Sequence, residues 1–96
     1  MQRIKTYIGF AIRSNHIIKG LDDITKSRKK IYVIVLTDGL MQNSIDKLDK
    51  FLENKDIKKI LVNSQVFSDL NIDGVKVLGI TDKNLADAII KHNNIN

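Results

Sequence analysis

The 96-residue chain contains no cysteine and no proline. Without cysteine it can form neither a disulfide framework nor a thiolate zinc site, and its composition suits a reducing cytoplasm. Without proline, and with no low-complexity tract or internal repeat, nothing in the sequence marks a linker. We therefore expect residues 1–96 to fold as a single domain with one modest core.

Glycine motifs and long apolar runs are also missing. The five glycines are isolated and form no GxGxxG or P-loop pattern, which disfavours a nucleotide cofactor. No apolar run approaches the length of a membrane span. The apolar residues after Arg3 and Lys5 are interrupted by Arg13 and lead to no small-residue cleavage site, so we expect no signal peptide. The sequence therefore predicts a soluble, cytoplasmic protein with no cofactor and no membrane partner.

Positive charge is concentrated in the first third of the chain. Residues 1–32 contain eight lysine or arginine residues and two aspartates, a net charge of +6, whereas residues 33–96 contain eight lysines and nine acidic residues, a net charge of −1. This asymmetry is typical of a protein that binds a polyanion. The alternative interpretation is that the sequence is highly charged only because it comes from an AT-rich genome, in which Lys, Ile and Asn are abundant.

Helices and strands are predicted to alternate along the chain. Helices are predicted over residues 2–13, about 43–54, 64–70 and from 83 onward, and over the polar, helix-compatible segment 22–29. Apolar runs predict strands over residues 16–19, 31–36, 57–62 and 75–80. The continuous β-branched run from Ile31 to Leu36 is typical of a central strand that is covered on both faces. Because each strand needs two covered faces, the order predicts an α/β fold, a three-layer α/β/α sandwich. The pattern leaves the pairing of the strands open.

The helix ends carry polar residues that favour capping. We expect Asn43 or Ser44 to cap the third helix, and Thr81 or Asp82 to cap the last one. The polar tail that starts at His92 is expected to fray.

Candidate catalytic residues are few. With cysteine absent, only His16 and His92 could exchange protons near neutral pH, and we interpret both as packing or surface residues. Asp38 follows the central strand, where α/β enzymes often place catalytic groups, but Gly39 beside it favours a turn. No acidic cluster or histidine pair has the spacing of a metal site. We therefore expect no enzyme, no metal and no small-molecule substrate, although a deep pocket joining His16 to Asp38 would favour an enzyme.

The strand-to-helix junction at Lys19 and Gly20 is the strongest remaining candidate for a functional surface. The chain passes through a glycine there, so backbone N–H groups at the helix start can face an anion. The basic residues expected around it are Lys19, Lys26, Arg28, Lys29 and Lys30. This arrangement suits RNA phosphate. The alternative interpretation is an ordinary glycine turn followed by a solvated, charged helix.

Three segments, in the same order and at similar spacing, resemble a known family. They are residues 9–20 (GFAIRSNHIIKG), 34–38 (IVLTD) and 79–86 (GITDKNLA). They resemble the opening helix, the central strand and the closing helix start of the kink-turn-binding ribosomal proteins, the L-seven-Ae family, and particularly its small bacterial members of the YlxQ type. The resemblance covers nearly the whole chain. It implies a four-stranded mixed sheet and a non-enzymatic, ribosome-associated RNA-binding protein.

The resemblance also implies roles for individual residues. Family members have a Gly-x-Asn-Glu segment at this junction, whose Asn and Glu read the guanines of sheared G·A pairs. By position Lys19, Gly20 and Lys26 keep their family roles, Asp22 replaces the Asn and Asp23 replaces the Glu. Residues 70–72, which end in Ile72, correspond most nearly to the family's Leu-Gly loop that packs against the extruded nucleotide. An Asn side chain both donates and accepts hydrogen bonds, whereas an ionised Asp only accepts.

Two functions follow as expectations. The first is recognition of structured, kink-turn-like RNA through the Gly20 junction. The second is a protein-interaction module that has kept the fold and lost RNA recognition. Asp22, and a segment between Gly20 and the central strand that is about one helical turn shorter than in the family, favour the second.

Overall fold

The computed structural model describes residues 2–72 and 74–95, and in them four strands alternate with five helices in the predicted order. The helices are α1 (Gln2–Arg13), α2 (Leu21–Lys26), α3 (Gln42–Leu52), α4 (Ser64–Asp69) and α5 (Lys83–Ile95). The strands are β1 (Ile17–Lys19), β2 (Val33–Thr37), β3 (Lys58–Val62) and β4 (Val77–Ile80). None of the helices in these described ranges is long and apolar enough to cross a membrane.

The four strands form one mixed sheet in the order β1-β4-β2-β3. Strand β4 runs antiparallel to both β1 and β2, and β3 runs parallel to β2. All five residues of β2 are buried, as its continuous apolar run predicted for a central strand. The predicted four-stranded mixed sheet is therefore confirmed.

The two faces of the sheet are covered by different helices. Because side chains alternate along β2, Val33 and Val35 join the core beneath α1, α4 and α5, whereas Ile34 and Leu36 join the core beneath α2 and α3. Helix α1 packs along α5, so the first and last helices of the chain share one layer. The molecule is thus an α/β/α sandwich of three layers, the predicted architecture.

Strands β1, β2 and β3 point in one direction, and this defines two ends of the sheet. We call the end where these strands finish the junction end, because the Gly20 N–H there donates to the Val77 carbonyl at 3.0 Å. We call the opposite end the far end, where the Tyr32 N–H donates to the Ile80 carbonyl at 2.9 Å. Helix α2 starts at the junction end, and the chain that follows it returns to the far end before β2 begins.

The end of α2 and the start of α3 differ from their predicted positions. Helix α2 ends at Lys26 rather than at residue 29, because Ser27 adopts an extended conformation with φ −68° and ψ 139°. The Ser27 hydroxyl then accepts a hydrogen bond from the Lys29 N–H at 3.0 Å, a local bond that competes with helix continuation. The expected capping of α3 by Asn43 or Ser44 is wrong, since Met41 occupies the N-cap position and makes no side-chain cap bond.

The last helix begins as predicted and continues further than predicted. The Asp82 carboxylate accepts from the Leu85 N–H at 3.0 Å and so caps α5. The expectation of a frayed tail over residues 92–96 is wrong for His92, because this residue lies within α5 and its ring stacks on Tyr7 of α1 at a centroid distance of 5.3 Å. Asn96 lies outside the described residues.

Candidate nucleic-acid interface

Gly20 forms the turn between β1 and α2. Its φ of 86° and ψ of 151° lie in a region that is essentially restricted to glycine. Its carbonyl accepts from the Ile24 N–H at 3.1 Å, which starts the helix. A Cβ added at this position would meet no atom within 4 Å. The turn therefore requires glycine for its backbone conformation, and the space beside it is open.

A shallow groove of about 340 Å³ surrounds this turn, and we call it the junction groove. Residues 19–23 form one side, and Ser44 and Lys47 of α3 form the other. The sequence analysis missed Ser44 and Lys47. They reach the groove because α3 packs beside α2 on the same face of the sheet, and no local sequence signal reports that contact.

The junction groove carries balanced charges. Lys19 and Lys47 contribute two positive charges to its lining, and Asp22 and Asp23 contribute two negative ones. All four residues are exposed, and no salt bridge within 4 Å involves any of them in the described part of the chain. Their ammonium and carboxylate groups thus face solvent and are available to a ligand. Both acids lie in the first turn of α2, beside the glycine turn that was expected to face an anion.

The structure divides the other predicted basic residues between the two ends of the molecule. Lys26 is the exposed last residue of α2, and Arg28 is exposed in the connection that follows. Lys29 and Lys30 line a second groove, at the far end. Neighbours in sequence are separated here because α2 and its connection carry the chain from one end of the sheet to the other. The five basic residues expected around Gly20 therefore do not converge on it.

Ile72 lies in the connection between α4 and β4, near the junction end. Its side chain is only 8% exposed and belongs to the core beneath α1, α4 and α5. Its N–H donates to the Phe67 carbonyl at 2.9 Å. Because α2 lies on the opposite face of the sheet, Ile72 does not line the junction groove and offers little surface to a nucleotide.

The three residues weighed as catalytic candidates are not assembled into one site. His16 precedes β1 at the far end, where its Nδ1 lies 2.7 Å from the Ser14 hydroxyl. Asp38 is exposed in the turn after β2, at the junction end. His92 stacks on Tyr7, and its Nε2 lies 3.4 Å from the Tyr7 hydroxyl. Within residues 2–72 and 74–95 no group of three or more His, Asp or Glu side chains is placed to hold a metal ion.

Comparison with known proteins supports the fold. No protein-family model matches the chain. A comparison with curated proteins finds no match either. The solved structure of a protein with unknown function from Bacillus halodurans C is similar to 98% of this chain, and 99% of that chain is covered, with a TM-score of 0.84 and 16% sequence identity. At that identity the likeness shows the α/β sandwich fold alone.

Proposed function

We propose that the protein binds structured RNA through the junction groove, without catalysis, as a cytoplasmic and ribosome-associated protein. The observation that carries this proposal is the open glycine turn at Gly20, flanked by exposed lysines that make no salt bridge in the described residues. A phosphate can approach the backbone closely at such a turn, and Lys19 and Lys47 can neutralise it from either side. The resemblance to kink-turn-binding proteins supports the same assignment.

The two acids in the groove narrow the kind of RNA that fits. A carboxylate repels phosphate, so Asp22 and Asp23 must face base edges, where they can accept hydrogen bonds from amino groups. A regular RNA duplex buries most of those edges in a deep, narrow groove, whereas a kinked or bulged RNA presents them. The balanced charge of the groove therefore favours an RNA with exposed base edges over a plain duplex.

A salt series with two RNAs tests the proposal. We expect a kink-turn RNA to bind more tightly than a plain duplex of equal length, and both affinities to fall as salt rises from about 50 to about 200 mM. The proposal would be contradicted if neither RNA binds, or if the affinity does not change with the salt concentration.

Variants of the groove separate phosphate contacts from base readout. Lys47→Ala should weaken both RNAs, because a phosphate contact carries no sequence information. Asp23→Ala should weaken the kink-turn RNA alone. Lys91→Ala removes the same charge from an exposed position on α5 and serves as the control. Equal losses with Lys47→Ala and Lys91→Ala would show that only net charge matters.

The second candidate function is a protein-interaction module. The zero net charge of the junction groove lining favours it, since a dedicated phosphate site would carry an excess of cations. A protein partner that co-purifies without nucleic-acid absorbance, together with the absence of RNA binding in the salt series, would select this function over the first.

A further inference from the structure

A second groove, larger than the first, lies at the far end of the molecule, and we call it the far groove. Its volume is about 660 Å³, which is within the range of ligand-binding sites. The connection from α2 to β2 forms one wall. The end of α3, the start of β3 and the first half of α5 complete it. Four segments that are distant in sequence thus converge on one open surface.

The floor of the far groove is apolar. Ile24 and Ile31 are buried beneath it, and four half-buried side chains lie above them: Tyr32, Phe51, Ile57 and Ile90. Half-buried apolar side chains gathered in one concave surface are a feature of binding sites in soluble proteins. A ligand that buries this floor must itself present apolar groups.

The rim of the far groove is strongly basic. Five exposed lysines surround the floor, against two exposed aspartates, so the lining carries a net charge of +3. The lysines are Lys29, Lys30, Lys55, Lys58 and Lys83. In the described part of the chain, Lys83 is the only one of these five lysines that forms a salt bridge, and its partner is Asp87 at 3.0 Å. The junction groove is neutral by the same count, so the far groove is the more attractive of the two for an anion.

Two of the lysines already lie over the aromatic rings of the floor. The Lys30 Nζ is 5.2 Å from the centroid of the Tyr32 ring, and the Lys55 Nζ is 4.5 Å from that of Phe51. Lys55 also donates to the Phe51 carbonyl at 2.9 Å. A nucleobase that stacked on these faces would displace the ammonium groups. A carboxylate can instead bind each ammonium where it lies, which favours an acidic peptide over single-stranded nucleic acid.

We propose that the far groove binds an acidic, amphipathic segment of a partner protein. Apolar side chains of that segment pack on the floor beside Ile57 and Ile90, and its Asp or Glu side chains pair with the lysine rim. Lys29 and Lys58 carry most of the charge recognition, because neither is held by a salt bridge or by a ring in the described residues. This site is separate from the junction groove and does not depend on RNA binding there.

The test uses a synthetic peptide of about 14 residues, with leucines at the i, i+3, i+4 and i+7 positions and glutamates between them. Binding to the ¹⁵N-labelled full chain is followed by NMR, which locates the affected backbone amides and gives a Kd. Two further probes are a peptide with serine in place of leucine and a single-stranded oligouridylate. We expect the leucine peptide to shift the amides of Lys29, Ile31 and Ile57, and the serine peptide to bind at least about tenfold more weakly.

Matched charge-reversal variants complete the experiment. The double variant Lys29→Glu with Lys58→Glu should weaken the leucine peptide by about tenfold or more, while Lys19→Glu with Lys47→Glu makes the same charge change at the junction groove and should leave it within about twofold. All four positions are exposed, so equal unfolding midpoints will show that the fold is kept. The affinity for RNA should fall with the double variant at Lys19 and Lys47 and change little with the double variant at Lys29 and Lys58. The two proposals can therefore fail independently.

Three results would overturn the proposal. The first is no saturable binding of the leucine peptide up to about 1 mM. The second is equal affinity for the leucine and serine peptides, which would mean that the far groove binds anions in general without using its apolar floor. The third is tighter binding of the oligouridylate at the same amides, which would make the far groove a nucleic-acid site.

Discussion

Gly20 sets the direction in which the chain leaves β1, and its backbone conformation allows a direct test. At φ 86° and ψ 151° any residue with a Cβ is strained, although the space beside the residue is open. Gly20→Ala should therefore lower the free energy of unfolding by about 1–3 kcal/mol. Urea denaturation measures this loss, and an unchanged m-value will show that only the stability has changed.

Gly74 supplies the control for that measurement. It also has open space around the position of a Cβ, but its φ lies outside the positive range. Gly74→Ala should leave the free energy of unfolding unchanged or raise it by about 0.4–1 kcal/mol. Equal destabilisation by both substitutions would show that Gly20 is not held in the glycine-only region.

Asp22 stands where the resemblance to kink-turn-binding proteins would imply an Asn. Its side chain is exposed and makes no hydrogen bond in the described residues, so nothing in the fold requires a carboxylate there. If RNA binds at the junction groove, Asp22→Asn should raise the affinity for a kink-turn RNA by about tenfold, because it removes a repulsive charge and adds a donor. The change for a plain duplex should be smaller.

Asp56→Asn provides the matched control for Asp22→Asn. Asp56 is exposed at the far end, and the substitution changes the same charge by the same chemistry. It should leave the affinity for the kink-turn RNA within about twofold. If the two substitutions strengthen RNA binding equally, the effect is one of net charge and Asp22 does not face a base.

At the scale of the element, α3 begins without a side-chain cap. Met41 occupies the N-cap position with φ −74° and ψ 155°, the extended conformation that a capping residue adopts, and its side chain is 72% exposed. Met41→Ser should raise the free energy of unfolding by about 1 kcal/mol, because a hydroxyl there can accept from the free N–H groups of the first turn. Thermal or urea unfolding measures the gain. Asn43→Ala, at the position where a cap was first expected, should change stability by less than about 0.5 kcal/mol.

The elements that the sequence predicts best are those governed by local patterns. The helical spacing of Ile4, Ile8 and Ala11 places α1 correctly, since all three residues are buried. The boundaries fail where a side chain competes with the backbone, as Ser27 does at the end of α2. Prediction also fails for His92, because its partner Tyr7 lies 85 residues away in sequence. Periodicity within a helix reports which face is buried but does not identify the residue it packs against.

At the scale of the whole molecule, the sequence locates the Gly20 turn but not the grouping of charges around it. The net charge of +6 in residues 1–32 is not gathered at one site. Arg3, Lys5 and Arg13 lie on α1, over the other face of the sheet, and α2 with the connection after it separates the remaining basic residues between the two ends. Lys47 joins the junction groove from α3, to which the sequence assigned no functional residue. Lys29 and Lys30 instead join lysines from the connection after α3, from β3 and from α5. Both groupings of lysines follow from tertiary packing, and a count of charges along the chain does not reveal that packing.

This division of charge sets the expected salt dependence of RNA binding at the junction groove. Lys19 and Lys47 line that groove and Lys26 ends the adjoining helix, whereas Lys29 and Lys30 lie at the far end. Each neutralised phosphate contributes about −0.9 to the slope of log K against log salt concentration. Two or three phosphate contacts therefore give a slope of about −2 to −3. The five basic residues first expected around Gly20, together with Lys47, would give about −5 if all of them contacted phosphate.

Two single variants show which lysines determine that slope. Lys47→Ala should make the slope less steep by about 1, because one phosphate contact is lost. Lys30→Ala removes an equal charge at the far end. The plot of log K against log salt concentration should therefore stay linear with the same slope. A wild-type slope near −5 that both substitutions reduce equally would mean that RNA wraps from the junction end to the far end. The lysine rim of the far groove would then be part of the RNA site, and no longer free for an acidic peptide.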